Sequence, residues 1–172
     1  MTLTIRVATR ADAAELSRVG TQSFNDAYRG TANDEDIDAH LDEYFTETAI
    51  RAEMGSSTVR YLVAEYGAST TGLAKLRNSD VPGQLPVDSA VEVQQLYVAS
   101  AHQRSGVGRR LMDAATAEAR NWGTQGIWLS AWTQADWAIA FYRDYGFGVV
   151  CEVPFRLGQS EFTDYLMWYP FD

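Results

Sequence analysis

The 172-residue chain has one cysteine, Cys151, which excludes an intrachain disulfide, and two histidines, too few for a clustered metal-ligand set. No apolar run approaches the ~18 residues of a membrane span. The opening Met1-Thr-Leu-Thr-Ile-Arg-Val alternates polar and apolar residues where a signal peptide has an unbroken apolar core. These absences predict a cytoplasmic protein with no metal and no membrane partner. Basic residues are also scarce. Lys and Arg number 14 against 23 Asp and Glu, and a net charge of −9 argues against nucleic acid, which needs a basic stripe.

What is present fits one globular domain over residues 1–172, long enough to bury a substantial core at 46% hydrophobic residues. The acidic residues are not evenly spread. Between Asp26 and Glu53 stand Asp34, Glu35, Asp36, Asp38, Asp42, Glu43 and Glu47, against only Arg29 and Arg51. Such a segment repels anions and attracts cations if it lines a site.

Leu3 to Ala8 alternates as a short strand, and Thr9-Arg-Ala-Asp12 has the spacing of a capping box opening a helix to about Asn25. Phe24 and Tyr28 follow at its exit, read either as core aromatics or as the lining of an acceptor site. Asp34 to Phe45 predicts an acidic helix with Ile37, Leu41 and Phe45 inward, and Thr46 to Met54 a shorter one. Arg60–Tyr66 and Thr71–Arg77 form a hairpin about Gly67, and Pro82-Gly83 and Pro86 mark a loop. A strand at Gly126–Trp132, a helix at Asp136–Tyr145 stopped by Gly146, and two closing strands complete the order. Hairpins beside crossover helices predict a mixed, mostly antiparallel sheet flanked by helices, an α/β sandwich.

The chain is organised around Val91-Glu-Val-Gln-Gln-Leu-Tyr-Val98, the turn through Gln103-Arg-Ser-Gly-Val-Gly108, and the helix beginning near Arg109. Strand, glycine turn and helix start together bring unpaired backbone N–H groups to the positive end of a helix dipole, a setting that favours phosphate. It is not a P-loop, because no Gly-Lys-Ser/Thr follows, and Leu111 stands where a dinucleotide fingerprint needs its third glycine. On these residues alone, tight packing explains the glycines as well as ligand binding does.

Taken together, the whole chain resembles the GNAT superfamily of acetyl-CoA-dependent N-acetyltransferases. Gln103-x-x-Gly106-x-Gly108 matches that family's Arg/Gln-x-x-Gly-x-Gly/Ala motif, and Ala138-Ile-Ala-Phe-Tyr142-Arg-Asp-Tyr-Gly146-Phe147 resembles its A-x-x-x-Y-x-x-x-G-F helix. Within the superfamily it is most similar to PaiA-like polyamine acetyltransferases, on Ser23-Phe-x-x-x-Tyr28, Ile127-Trp-Leu-Ser-Ala-Trp132, Phe155-Arg-Leu-Gly158 and Thr163-Asp-Tyr-Leu-Met167.

The resemblance implies a GNAT fold with splayed strands and acetyl-CoA as co-substrate. The N–H groups about Gln103, Arg104, Ser105, Gly106, Val107, Gly108 and Arg109 would hold the CoA pyrophosphate, and Leu96, Tyr97 and Val98 would bond the pantetheine arm through their main chain. That requires a local bulge in the strand. Tyr142 holds the position implicated in serving the leaving thiolate. Glu92, eleven residues before Gln103, holds the register of the strand carboxylate that some relatives use as base. Strict alternation places Glu92, Gln94, Leu96 and Val98 on one face. His102 reads as a solvated turn residue and Cys151 as buried packing. One departure is Ala135, where relatives often carry an asparagine that contacts cofactor, with Gln134 available to compensate. The expected acceptor is a small cationic amine such as a polyamine, bound with the help of Phe24 and Tyr28. A protein N-terminus or lysine is the alternative acceptor, a non-catalytic acyl-CoA-binding module the alternative class, and a homodimer is left open.

Overall fold

A computed structural model describes residues 2–172. Strands β1 (Leu3–Val7), β2 (Val59–Tyr66), β3 (Ser69–Arg77), β4 (Val91–Val98), β5 (Gly126–Trp132), β6 (Gly148–Leu157) and β7 (Ser160–Pro170) form one sheet in the order β1-β2-β3-β4-β5-β7-β6. Every neighbouring pair is antiparallel except β4 and β5. This is the mixed, mostly antiparallel sheet that the hairpins and crossover helices predict.

Helices cover both faces. On one lie α1 (Ala13–Tyr28), α2 (Asp34–Tyr44) and α3 (Glu47–Glu53); on the other lie α4 (Val107–Asn121) and α5 (Asp136–Tyr145). The i, i+4 series Val107, Leu111, Ala115 and Ala119, with Met112, gives α4 a fully buried stripe against the sheet. Removing Leu111 from water, at 0% exposure, is worth about 2 kcal/mol. The opposite face is filled by Leu16 and Val19 of α1 with Val63 and Leu73, and by Phe24, Ile37, Leu41 and Phe45 beneath Leu157.

Local chemistry departs from the sequence expectation at three places. The capping box is not one of them: the Asp12 carboxylate accepts from the Thr9 N–H at 2.6 Å across a 3₁₀ turn at Arg10–Asp12. The helix after it runs one turn past Asn25, to Tyr28, so Phe24 and Tyr28 lie inside α1 instead of at its exit. Cys151 is half-buried, because β6 is the outer strand of the sheet.

The third departure organises the site. In β4, Val93 pairs with Leu76 and Gln95 with Lys75, leaving Gln94 as the extra residue of a bulge. The bulge reverses the alternation. Val91, Val93, Leu96 and Val98 all contact the α4 side, while Glu92 and Tyr97 turn to the α1 side. Glu92 therefore does not share a face with Leu96 and Val98, as unbroken alternation would require. Beyond the bulge β4 also leaves β5, and their parallel ladder is confined to Val91–Ile127 and Glu92–Trp128. No helix among the described residues is long and apolar enough to cross a membrane.

Candidate active site

The split between β4 and β5 frees one edge of β4 from Val93 to Val98, since β3 uses only the other. The turn from Ser100 to Gly106 hangs from the end of this edge. Gln103 ties it down by donating its side-chain amide to the Val98 carbonyl at 3.2 Å, the Ser105 hydroxyl donates to the His102 carbonyl, and His102 stacks on Tyr66 at 5.5 Å.

At the helix junction Gly106 has φ +87°, and Arg104 before it also takes a left-handed φ of 59°. Successive left-handed and helical residues turn their N–H groups to one side. From Arg104 to Arg109 these groups find no acceptor among the described residues; the first helical bond outside this run is Arg110 N–H to the Gly106 carbonyl. Unpaired N–H groups at a 15-residue helix N-terminus, beside a free strand edge, fit a pyrophosphate followed by an amide-containing arm. Arg109 leans away from this cradle. Its guanidinium lies 3.4 Å from Asp144 and 5.4 Å from the Tyr145 ring centroid, on α5.

Tyr142 projects from α5 into the split, packed edge-on against Phe141 and Phe147. From the opposite face Tyr97 of β4 and Tyr28 of α1 converge on it. The three phenols are near enough for the charge of one to act on another. Burial pushes Tyr142 and Tyr97 well above the ordinary phenol range and Tyr28 up to about 12. All three stay protonated, so each is a hydrogen-bond donor at neutral pH.

Glu92 sits at the closed end of the split, opposite Trp128. Burial raises its carboxyl, while Arg77 at 3.9 Å and Lys75 lower it. Glu92 thus lies on the α1 face of the sheet, beside Arg77 and Lys75. Phe24, 3% exposed, stacks behind Tyr28 with centroids 4.6 Å apart and supports it from within the core.

Two groups at this site are not evident from sequence patterns. One is the aromatic corner made by Tyr28, Trp132 and Phe162, with centroids 5.6–6.2 Å apart. The other is Asp164, directly across from Trp132 in the β5–β7 ladder and 5% exposed. Its burial lifts the carboxyl to about 6, against the pull of Ser130. The signal lies in Phe162-Thr-Asp-Tyr-Leu: the aspartate falls in register with Phe162 and Leu166, on the inward face. A separate groove of about 470 Å³ between α1 and α2, lined by Thr21, Asn25, Asp38 and Phe45, contains none of these groups.

At the start of α5, Ala135 is the N-cap, and no side chain accepts from the first turn. The residue that departs from the expected asparagine therefore leaves this helix end uncapped.

The sequence matches the acetyltransferase (GNAT) family over residues 21–147. An uncharacterized N-acetyltransferase of Lactobacillus delbrueckii subsp. lactis is 23% identical, with 91% of this chain and 90% of that one covered. An uncharacterized N-acetyltransferase of Mycobacterium tuberculosis is 27% identical over 91% of this chain and 96% of its own. The fold is shared with the PaiA N-acetyltransferase of Thermoplasma acidophilum, solved in complex with coenzyme A: TM-score 0.80, 20% identity, 99% of this chain and 100% of that chain. A putative acetyltransferase of Salmonella typhimurium, solved with acetyl-CoA, superposes with TM-score 0.70 at 25% identity over 100% of this chain and 95% of its own.

Proposed function

The chain belongs to the GNAT acetyltransferase family and is an N-acetyltransferase with acetyl-CoA as co-substrate, and from that premise we propose that its acceptor is a small cationic amine of the polyamine kind, acetylated by direct transfer within one domain spanning residues 1–172. The observation that carries this reading is the make-up of the acceptor face. Tyr28, Trp132 and Phe162 cluster beside a buried carboxylate, and α2 begins with Asp34, Glu35 and Asp36. Rings and carboxylates together favour a cation over a neutral or anionic acceptor.

In this reading acetyl-CoA supplies the activated acyl group, held through its pyrophosphate by the N–H groups of Arg104 to Arg109 and through its arm by Leu96 to Val98. The amine nitrogen forms its bond to the acetyl carbon as the carbon–sulfur bond breaks. Tyr142 donates a hydrogen bond to the departing thiolate sulfur. Its raised pKa makes full proton transfer to a thiolate, whose acid form has a pKa near 8.5, unfavourable, so stabilisation by donation is its role. Glu92 receives the proton of the attacking amine through water, because it faces the acceptor side from the closed end of the split.

The test is CoA release from acetyl-CoA with putrescine and spermidine, set against peptides with free N-termini or lysines. Release with these polyamines at lower KM supports the reading. Release with peptides alone assigns a protein acceptor, and no release with any amine despite acetyl-CoA binding assigns a non-catalytic acyl-CoA-binding module.

A further inference from the structure

The acceptor face holds a buried carboxylate with one oxygen left unpartnered. Among the described residues only two buried side-chain polar atoms lack a hydrogen bond, Asp164 Oδ1 and Trp128 Nε1, and both lie on this face, on β5 and its neighbour β7. A carboxylate 5% exposed and left with an open lone pair destabilises the fold unless a ligand completes it. Its surroundings limit what that ligand is. Trp132 stands directly across the ladder, Phe162 lies two residues along the same strand face, and Tyr28 closes the third side with centroids 6.1 Å from Trp132 and 6.2 Å from Phe162. Among the described residues no lysine or arginine pairs with Asp164.

We infer that Asp164 and the rings of Tyr28, Trp132 and Phe162 form a binding box for a second ammonium group of the acceptor, one that is charged and does not react. An ammonium satisfies the open oxygen with a charge-assisted hydrogen bond and sets its remaining charge against the ring faces. The box is one phenol removed from the chemistry. Tyr28 senses the charge of Asp164 and also acts on Tyr142, whereas Asp164 is not among the groups acting on Tyr142. A diamine with one nitrogen at the split and the other in the box is the ligand class that spans this arrangement. Asp164 is thus a specificity-determining binding residue and Glu92 keeps the role of proton acceptor. The inference rests on the cationic-amine reading above, and its test separates the two.

The experiment compares putrescine with butylamine, the same chain lacking the second nitrogen, in the native protein and in Asp164→Asn. The native protein is expected to prefer putrescine in kcat/KM, and Asp164→Asn to reduce that preference about tenfold or more, through KM. Trp132→Ala is expected to reduce it in the same direction. An unchanged preference in Asp164→Asn overturns the inference. So does a loss confined to kcat with a displaced acidic limb in the pH–rate profile, because it makes Asp164 the proton acceptor. Calorimetric titration of putrescine needs no turnover. Binding to the native protein but not to Asp164→Asn, without acetylation of either amine, keeps the box and refutes the acceptor reading. Equal binding to both proteins, or none to either, overturns the box.

Discussion

The Lys75 ammonium donates to the Glu53 carboxylate at 2.6 Å from a position where the lysine side chain is 2% exposed and the glutamate 30%. Tyr61 donates to the same carboxylate, and its ring lies 5.7 Å from the Lys75 nitrogen. Burial lowers the lysine pKa and Glu53 opposes that shift. The pair is asymmetric. Glu53→Gln leaves a buried cation uncompensated and is expected to destabilise by roughly 2–4 kcal/mol, whereas Lys75→Met leaves a carboxylate that water can reach and is expected to cost under about 1 kcal/mol. Urea unfolding of the two variants reads the difference.

Gly106 and Gly108 carry the same motif but different constraints. A Cβ on Gly106 meets nothing within 4 Å, yet φ +87° makes any side chain there strained by about 1–2 kcal/mol. A Cβ on Gly108 meets Phe141 and Val98 at 3.6–3.7 Å, ordinary contact, with no unusual φ. Gly106→Ala is therefore expected to raise the KM for acetyl-CoA more than Gly108→Ala does, measured at saturating amine.

Tyr142→Phe removes the donor and keeps the packing against Phe141 and Phe147. Its kcat is expected to fall roughly 10²-fold while Tm and the KM for acetyl-CoA hold. Because burial raises the phenol pKa, the native enzyme is expected to show no loss of rate from Tyr142 ionisation up to pH 10. A phenol limb at an ordinary tyrosine pKa counts against this assignment.

Asp164 has a folded pKa of about 6 against 3.8 in the unfolded chain. The folded state binds this proton more tightly, so the contribution of Asp164 to stability is fully present below pH 3.8 and is lost as pH rises through 6. The polar groups facing this carboxyl are Tyr28 from α1 and Ser130 from β5, while the β6 residue across the ladder is the apolar Val153. Asp164→Asn is expected to stabilise the ligand-free protein by roughly 1–3 kcal/mol at pH 7.5 and by little at pH 4. Thermal unfolding at the two pH values checks the sign.

Much of this molecule is legible in its sequence, and for identifiable reasons. Gly106 announces the turn because a left-handed residue before a helix is inexpensive only for glycine, and the Leu111 stripe announces the helix through its period. The bulge in β4 was expected from the family resemblance, but its position at Gln94 left no such trace. Alternation predicts Glu92 beside Leu96 and Val98, and one inserted residue turned them to opposite faces. Lys75 and Asp164 were missed for a related reason. A single charge in an alternating strand reads as a solvent-facing residue, and only the helices laid over that face make it buried. The sequence pattern puts the end of this helix at about Asn25, whereas α1 continues to Tyr28.

The ladder between β4 and β5 makes the middle of the sheet its weakest seam. Two antiparallel lobes, β1 to β4 and β5 to β7, are stitched to each other by Val91–Ile127 and Glu92–Trp128, with α4 bridging above. A ligand lying along the free edge of Val93 to Val98 acts as a wedge-shaped eighth strand and mends the seam. Deuterium should therefore enter the β4 amides that face the gap early in the ligand-free protein, and slowly once coenzyme A is added, while the β6–β7 hairpin exchanges alike in both.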